Sequence, residues 1–285
     1  MKRKKLFRVL CICLSCLILL GVCGTVFYHG EWWYPALWQA THRGAIALTE
    51  ASDEFSCRTW TLDELREAGA IESCCMMLIN STHPIPEAYV PLLVEYNGAR
   101  MHPLMQEPYI ALRDTVQQKT GVRIYVASDY RTPEEQKELL DASGDDIAAA
   151  VGCSEHEAGL ALDVYAPYFG GENFLRSRAG RRVNDTCAEY GYIIRYPKGK
   201  EAITGIAYEP WHLRYVGAPH ARIISDAGLT LEEYLDLLTP DVRYESGDYL
   251  ILRCKSDAIL LPQGWRSCEI SPDNTGYYII TLQMR

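Results

Sequence analysis

His156, Asp163, Glu209 and His212 are the residues of this chain whose types and spacing suggest chemistry. They lie in the stretches "GCSEHEAGLALDVYAP" (152–167) and "EPWHLRYVG" (209–217). Two imidazoles and a carboxylate leave a tetrahedral zinc ion one position for water, the arrangement that catalytic zinc requires. Such an ion brings the pKa of its water to about 7, and a second carboxylate could carry the proton from that water to a leaving amine. Spacing alone leaves open that the four are unrelated hydrogen-bonding residues, because H-x(6)-D and E-x-x-H pairs also arise by accident.

The elements around these residues make the chemical reading testable. From Leu160 the chain alternates like a half-buried strand, with Leu160, Leu162 and Val164 on one face and Ala161, Asp163 and Tyr165 on the other. A carboxylate in mid-strand needs a partner or water, since burying it unpaired costs several kcal/mol. His156 falls in a glycine-bounded turn before that strand. Positions three apart on a regular strand face opposite sides, so Glu209 and His212 can serve one ion only if the chain bends. Pro210 supplies the bend, because it cannot donate to a ladder and restricts the residue before it.

Arg131 stands out for its position. It follows a predicted strand, "VRIYVAS", and precedes a helix announced by Thr132 as N-cap, Pro133 at the first position and Glu135 as capping glutamate. Backbone donors and a guanidinium at such a junction can jointly hold a carboxylate or an oxyanion. Upstream, Glu107 to Lys119 reads as a helix closed by Gly121. Downstream, "RRVNDTCAEYGYIIRYPKGKEAITGIAYEPWHLRYVG" reads as a helix, a strand, a solvated "PKGK" turn and two more strand segments, and "LTLEEYLDLL" as a capped helix. His83, His102 and His220 fall in predicted loops, and Cys153 reads as a buried thiol or half of a disulfide.

Composition bounds the rest. The 285 residues are 48% apolar, enough for a sizeable core. Val9 to Tyr28 carries no charge, follows five basic residues and precedes "EWWYPALW". Twenty helical residues span about 30 Å, so residues 1–30 read as a cytoplasmic basic segment and an uncleaved membrane anchor, with the remainder outside the cell. Removing the five basic residues takes the net charge from −9 to −14, which excludes nucleic acid as an expected partner. Seven of the eleven cysteines lie outside the anchor, and Cys254 with Cys268 is the local pair expected to bridge. Residues 31–70 read as a juxtamembrane spacer containing one short helix that starts at Thr61, 71–240 as the functional domain, and 241–285 as a small β appendage.

The motifs "SDYRTPEEQ", "SEHEAGLALDV" and "YGYIIRYPKGKEAITGIAYEPWHLRYVG" resemble, in order and spacing, those of the VanY-type D-alanyl-D-alanine carboxypeptidases. These are zinc peptidases that share a fold with D-Ala-D-Ala dipeptidases and the hedgehog signalling domain. The resemblance covers roughly Met76 to Gly217 and implies zinc on His156, Asp163 and His212, with Glu209 as catalytic base. It implies Arg131 at the oxyanion or the substrate's terminal carboxylate, and Gln136, Ser154 and Tyr130 as substrate contacts. Two positions depart from the pattern: Asp129 stands where glycine is usual, placing a negative charge near the pocket, and Cys153 where threonine is common. The expected fold is α+β, helices packed around a small, mainly antiparallel sheet that carries the zinc site. The expected function is a D,D-carboxypeptidase on the outer face of a bacterial cell membrane, removing the terminal D-Ala from peptidoglycan stem peptides or their precursors. The alternatives are an L,D-carboxypeptidase, a D-Ala-D-Ala dipeptidase and, from another class, a non-catalytic wall-binding or sensing module.

Overall fold

The computed structural model describes residues 14–16, 18, 21, 24, 29–41, 47–52, 56–143, 149–255 and 258–285. Most of the expected anchor lies outside these residues, and among the described residues no helix is long and apolar enough to cross a membrane. In chain order the first elements are α1 (Gly30–Thr41), β1 (Thr49–Glu50), β2 (Cys57–Trp60), α2 (Leu62–Glu67) and β3 (Ile71–Glu72). They are followed by β4 (Val94–Tyr96), β5 (Ala99–Met101), α3 (Pro103–Thr120), β6 (Tyr125–Ser128) and α4 (Pro133–Ser143). Next come β7 (Ala161–Tyr165), a 3₁₀ turn (Gly171–Arg176), α5 (Arg178–Thr186), β8 (Tyr192–Ile194), α6 (Glu201–Thr204) and β9 (His212–Tyr215). The chain closes with α7 (His220–Ala227), α8 (Leu231–Leu237), β10 (Arg243–Ser246), β11 (Tyr249–Cys254), β12 (Ile259–Pro262), β13 (Trp265–Pro272) and β14 (Tyr278–Met284).

The fold is α+β, and the sheet that matters for function is four-stranded and antiparallel in the order β6-β7-β9-β8. Leu162, Val164 and Leu213 turn one face of it onto Met105, Leu112 and Val116 of α3, leaving Asp163 on the other face. The α3 helix starts earlier than its apolar pattern suggests, because Nδ1 of His102 accepts from the backbone N–H of Leu104 and Pro103 follows at the first position. Gly121 closes it in the left-handed conformation that its sequence anticipates.

Three expectations are corrected. The segment read as a spacer belongs to the fold: β1 and β3 are the outer strands of a six-stranded sheet, β1-β10-β11-β14-β13-β3, and β2 pairs with β12. Within the same segment α1 docks on the 3₁₀ turn and α5. There the Tyr34 hydroxyl donates to Asp185 at 2.5 Å, and a Cβ at Gly30 would lie 2.4 Å from the carbonyl of Leu175. The C-terminal strands are correspondingly more than an appendage, since Ile251 and Ile279 share a core with Met76, Ile193, Val216 and Tyr234. Finally, one of the two strand segments expected after "PKGK" is the short helix α6.

Cys254 and Cys268 are free thiols. Both lie in the larger sheet, but Cys254 registers with Tyr278 of β14 and, through it, Pro272 of β13, four residues from Cys268. That offset is about 13 Å along a strand, far beyond a disulfide's reach.

His220 is likewise not a loop residue. It opens α7, is 2% exposed, and hydrogen-bonds Tyr234 at 2.7 Å and Thr281 at 2.9 Å, tying two helices to β14. Burial pushes its pKa down to about 3. The unfolded chain takes up this proton near pH 6.5, so the contribution is full above about 6.5 and drains as pH falls toward 3. In urea titrations, His220→Gln should remove about 1.4 kcal/mol per pH unit of the acid sensitivity within that window. Equal slopes for variant and wild type would exclude the role.

Candidate metal centre and its cleft

Asp163 sits at the middle of β7, and the register sets Ser128 of β6 on one side of it and His212 of β9 on the other. His156 arrives from the turn that precedes β7. Its Nε2 is 3.4 Å from Asp163 Oδ2, and His212 Nδ1 is 3.0 Å from Asp163 Oδ1. The two rings meet edge to face at 5.0 Å, and one ligand atom from each of the three residues lies within 4.8 Å of the others.

The remaining ring nitrogens fix which atoms are free to bind. Nδ1 of His156 donates to the backbone carbonyl of Asp129 at 2.8 Å, and Nε2 of His212 donates to Glu155 at 3.4 Å. Each imidazole therefore turns a lone pair toward Asp163, as partners beyond the ligands do in metal sites. Asp163 Oδ1 is buried and accepts no hydrogen bond, although Nδ1 of His212 is so near.

Electrostatics agree with a cation there. Burial opposes ionisation of Asp163, yet the two imidazoles hold its carboxyl well below the usual range. Burial likewise opposes a charge on His212, while Asp163 and Glu155 push its pKa up to about 10. The surroundings thus favour positive charge at this point, and the donor set of two nitrogens and one oxygen suits zinc.

Glu209 lies before β9 in a turn closed by His212 N–H donating to Glu209 C=O at 3.2 Å. Asn184 holds the turn by donating to the Pro210 carbonyl at 2.8 Å. The bend brings Glu209 Oε2 to 3.7 Å from His212 Nδ1. Burial raises its pKa, His212 lowers it, and Asp163 and Glu155 raise it further.

Arg131, Gln136 and Ser154 line the same open cleft, about 130 Å³, together with Tyr196 and Ile206. The Arg131 guanidinium is positioned by Gln136 Oε1 at 2.6 Å and Ser128 Oγ at 2.9 Å, leaving further N–H groups for a ligand. Tyr130 is not brought to the cleft; its ring faces the guanidinium of Arg100 at 5.2 Å. The negative charge expected from Asp129 is also tied up, since its carboxylate accepts the backbone N–H of Arg100 at 2.5 Å and stands 3.6 Å from that guanidinium.

One participant was not singled out from the sequence. Glu155, 1% exposed, receives Arg195 Nε at 2.7 Å and Arg214 Nη1 at 2.6 Å on one oxygen and His212 on the other. Burial works against its charge, but Arg214 and Arg195 keep the carboxyl ionised far below its ordinary pKa. The readable signal was on β9: His212 and Arg214 are two apart and so share a face.

Two buried histidines and a half-buried aspartate gathered at an antiparallel sheet, faced by a carboxylate and an arginine, define a zinc metallopeptidase. A family model described as D-alanyl-D-alanine carboxypeptidase (VanY) matches residues 98–218. The bifunctional D-Ala-D-Ala dipeptidase and D-Ala-D-Ala carboxypeptidase VanXYC of Enterococcus gallinarum is 35% identical over 184 residues, 59% of this chain and 97% of that protein. A D-alanyl-D-alanine carboxypeptidase of Enterococcus faecalis is 32% identical, over 69% of this chain and 77% of its own length. Among solved structures, a VanY D,D-pentapeptidase in complex with Zn(II) superposes with a TM-score of 0.52 at 35% identity, covering 56% of this chain and 98% of that one. The D,D-dipeptidase VanXYg with a phosphinate analogue of D-Ala-D-Ala gives 0.62 at 25% identity, covering 80% and 98%. The chain belongs to the VanY family of D-alanyl-D-alanine carboxypeptidases.

Proposed function

We propose that the protein is a membrane-tethered D,D-carboxypeptidase that removes the terminal D-Ala from peptidoglycan stem peptides or their precursors on the outer face of the cell membrane. The convergence of Glu209 on the His156–Asp163–His212 triad, with Arg131 in the same cleft, carries this reading. His156, Asp163 and His212 would hold the zinc ion, which would supply a Lewis acid and lower the pKa of water in the cleft. Glu209, in the same cleft, is the base that would take a proton from water there and hand it to the departing amino group of D-Ala. Arg131, braced by Gln136 and Ser128, pairs with the terminal carboxylate of the substrate and so selects a chain end. The unfilled N–H groups of Arg131 and the hydroxyl of Ser154 orient the scissile bond relative to Glu209.

The tether reading rests on the uncharged run from Val9 to Tyr28 behind five basic residues. The docking of α1 supports it further, because a helix that starts at Gly30 and is clamped to the domain leaves little free chain between a membrane and the cleft. Such placement suits a lipid-linked or nearby wall substrate better than a free dipeptide.

The test is incubation of the full-length zinc-loaded chain with a pentapeptide ending in D-Ala-D-Ala, with the tetrapeptide ending in one D-Ala, and with free D-Ala-D-Ala. Mass spectrometry should show one alanine lost from the pentapeptide, suppressed by chelator and restored by zinc. Preferential cleavage of the tetrapeptide or the free dipeptide would replace the D,D-carboxypeptidase reading. Binding without cleavage of any of the three would favour a wall-binding module.

A further inference from the structure

Glu209 is held by its turn and not through its own side chain. Among the described residues no group donates a hydrogen bond to its carboxylate, which stands 3.7 Å from His212 Nδ1. Its backbone N–H donates to the Tyr196 carbonyl at 3.0 Å, its carbonyl receives the His212 N–H at 3.2 Å, and the carbonyl of the next residue, Pro210, receives Asn184. Whatever fixes this turn therefore fixes the base.

Behind the turn stands α1, which lies outside the residues matched by the family model. Tyr34, 6% exposed, donates to Asp185 of α5, the neighbour of Asn184, and its hydroxyl oxygen lies 3.1 Å from the Arg181 carbonyl. Toward the other end of the helix, Gln39 donates to the carbonyl of Lys198, two residues beyond Tyr196. Between these ties, Pro35 and Trp38 of α1 enclose with Tyr208, Asn184 and Pro197 a space of only about 10 Å³. That is no more than one water needs, so helix and turn are packed together. Tyr208 and Glu209 are adjacent, the first turned to α1 and the second to the cleft, and a shift of one moves the other.

We propose that α1 is a positioning element for the catalytic base: Pro35 and Trp38 back Tyr208, Tyr34 secures the helix to α5 beside Asn184, and together they keep the Glu209 carboxylate in place at the triad. The inference rests on the proposed carboxypeptidase reading, which gives Glu209 its role. A displacement of about 1 Å at a reacting group can cost about 10²-fold in rate, and a truncated aromatic leaves its packed neighbours room to move by that much. The segment ahead of the family-matched region thereby enters the geometry of the reaction.

The test uses the full-length zinc-loaded chain. Trp38→Ala should lower kcat on the D-Ala-D-Ala-ending pentapeptide about tenfold or more with KM and zinc content unchanged, and Trp38→Phe should retain most of the rate. Placed in the Glu209→Gln chain, Trp38→Ala should lower the residual rate no further, because the group that it positions is already absent. Tyr34→Phe keeps the packing and loses only the bond to Asp185; it should give a smaller loss in the same direction, and it serves where Trp38→Ala folds poorly. Hydrogen exchange gives a measure apart from turnover. The amides of Glu209 and His212 should exchange faster in both variants, about tenfold in Trp38→Ala, while those of β11 and β14 keep their rates. Unchanged exchange at the Glu209 turn, or an equal loss of rate in the Glu209→Gln background, would overturn the positioning role. If exchange at the turn rises but the wild-type chain cleaves no peptide, the brace stands and the carboxypeptidase reading falls.

Discussion

Glu209→Gln should lower turnover of a D-Ala-D-Ala-ending pentapeptide by about 10²–10⁴-fold while the protein still binds one zinc per chain. The two halves of this expectation have separate physical grounds. Loss of rate follows because the carboxamide cannot accept the water proton, and no other carboxylate in the cleft is free to replace it: Asp163 faces the two imidazoles, and Glu155 is saturated by Arg195, Arg214 and His212. Retention of zinc follows because Glu209 is not one of the three converging ligands. Stability should hold or rise slightly, since burial, Asp163 and Glu155 all disfavour its charge and the neutral amide relieves that cost. Activity assays beside metal analysis and a thermal melt read all three quantities. A variant that loses zinc along with activity would make Glu209 a ligand and would remove it from the role of base.

The parts of this site that the sequence discloses are those set by local rules. Asp163 is legible because a strand alternates with period two, and its apolar neighbours Leu162 and Val164 declare which face is core. Glu209 and His212 are legible as a pair only through Pro210, which breaks the alternation that would otherwise separate them. The helix after Arg131 is announced by Thr132 and Glu135, whose side chains and backbones exchange hydrogen bonds as a capping box.

What stays hidden depends on long-range or very short elements. Arg214 is marked only by sharing a strand face with His212, and nothing local announces that Glu155 and Arg195, distant in the chain, complete the cluster. The strands β1 and β3 have two residues each and α6 has four, too few for a periodic signal. Their pairing is decided by the strands they meet, not by their own residues. The orientation of Tyr130 is hidden for a related reason: in the turn between β6 and α4 no period assigns a face, so a neighbour of Arg131 can point toward Arg100 instead of the cleft.

The Glu155 cluster yields the other large effect, and its outcome tells structure apart from metal positioning. Glu155→Ala leaves Arg214, fully buried, with only carbonyl partners at Cys75, Met77 and Tyr215, and leaves Arg195 with Glu232 alone. Breaking a buried ion pair from one side costs about 3–5 kcal/mol, so this variant should fold poorly or melt many degrees lower. Glu155→Gln keeps the shape and one acceptor for His212, and should fold while binding zinc about 10–100-fold more weakly, because the carboxylate no longer holds Nε2–H and raises the basicity of Nδ1. A double change, Glu155→Gln with Arg214→Met, removes the arginine that Glu155 would otherwise leave uncompensated and should recover much of the lost stability. It should not recover zinc affinity, since the charge behind His212 is still absent. If affinity and melting temperature return together in the double variant, Glu155 acts only through the scaffold; if stability alone returns, the carboxylate positions and polarises His212 in its own right.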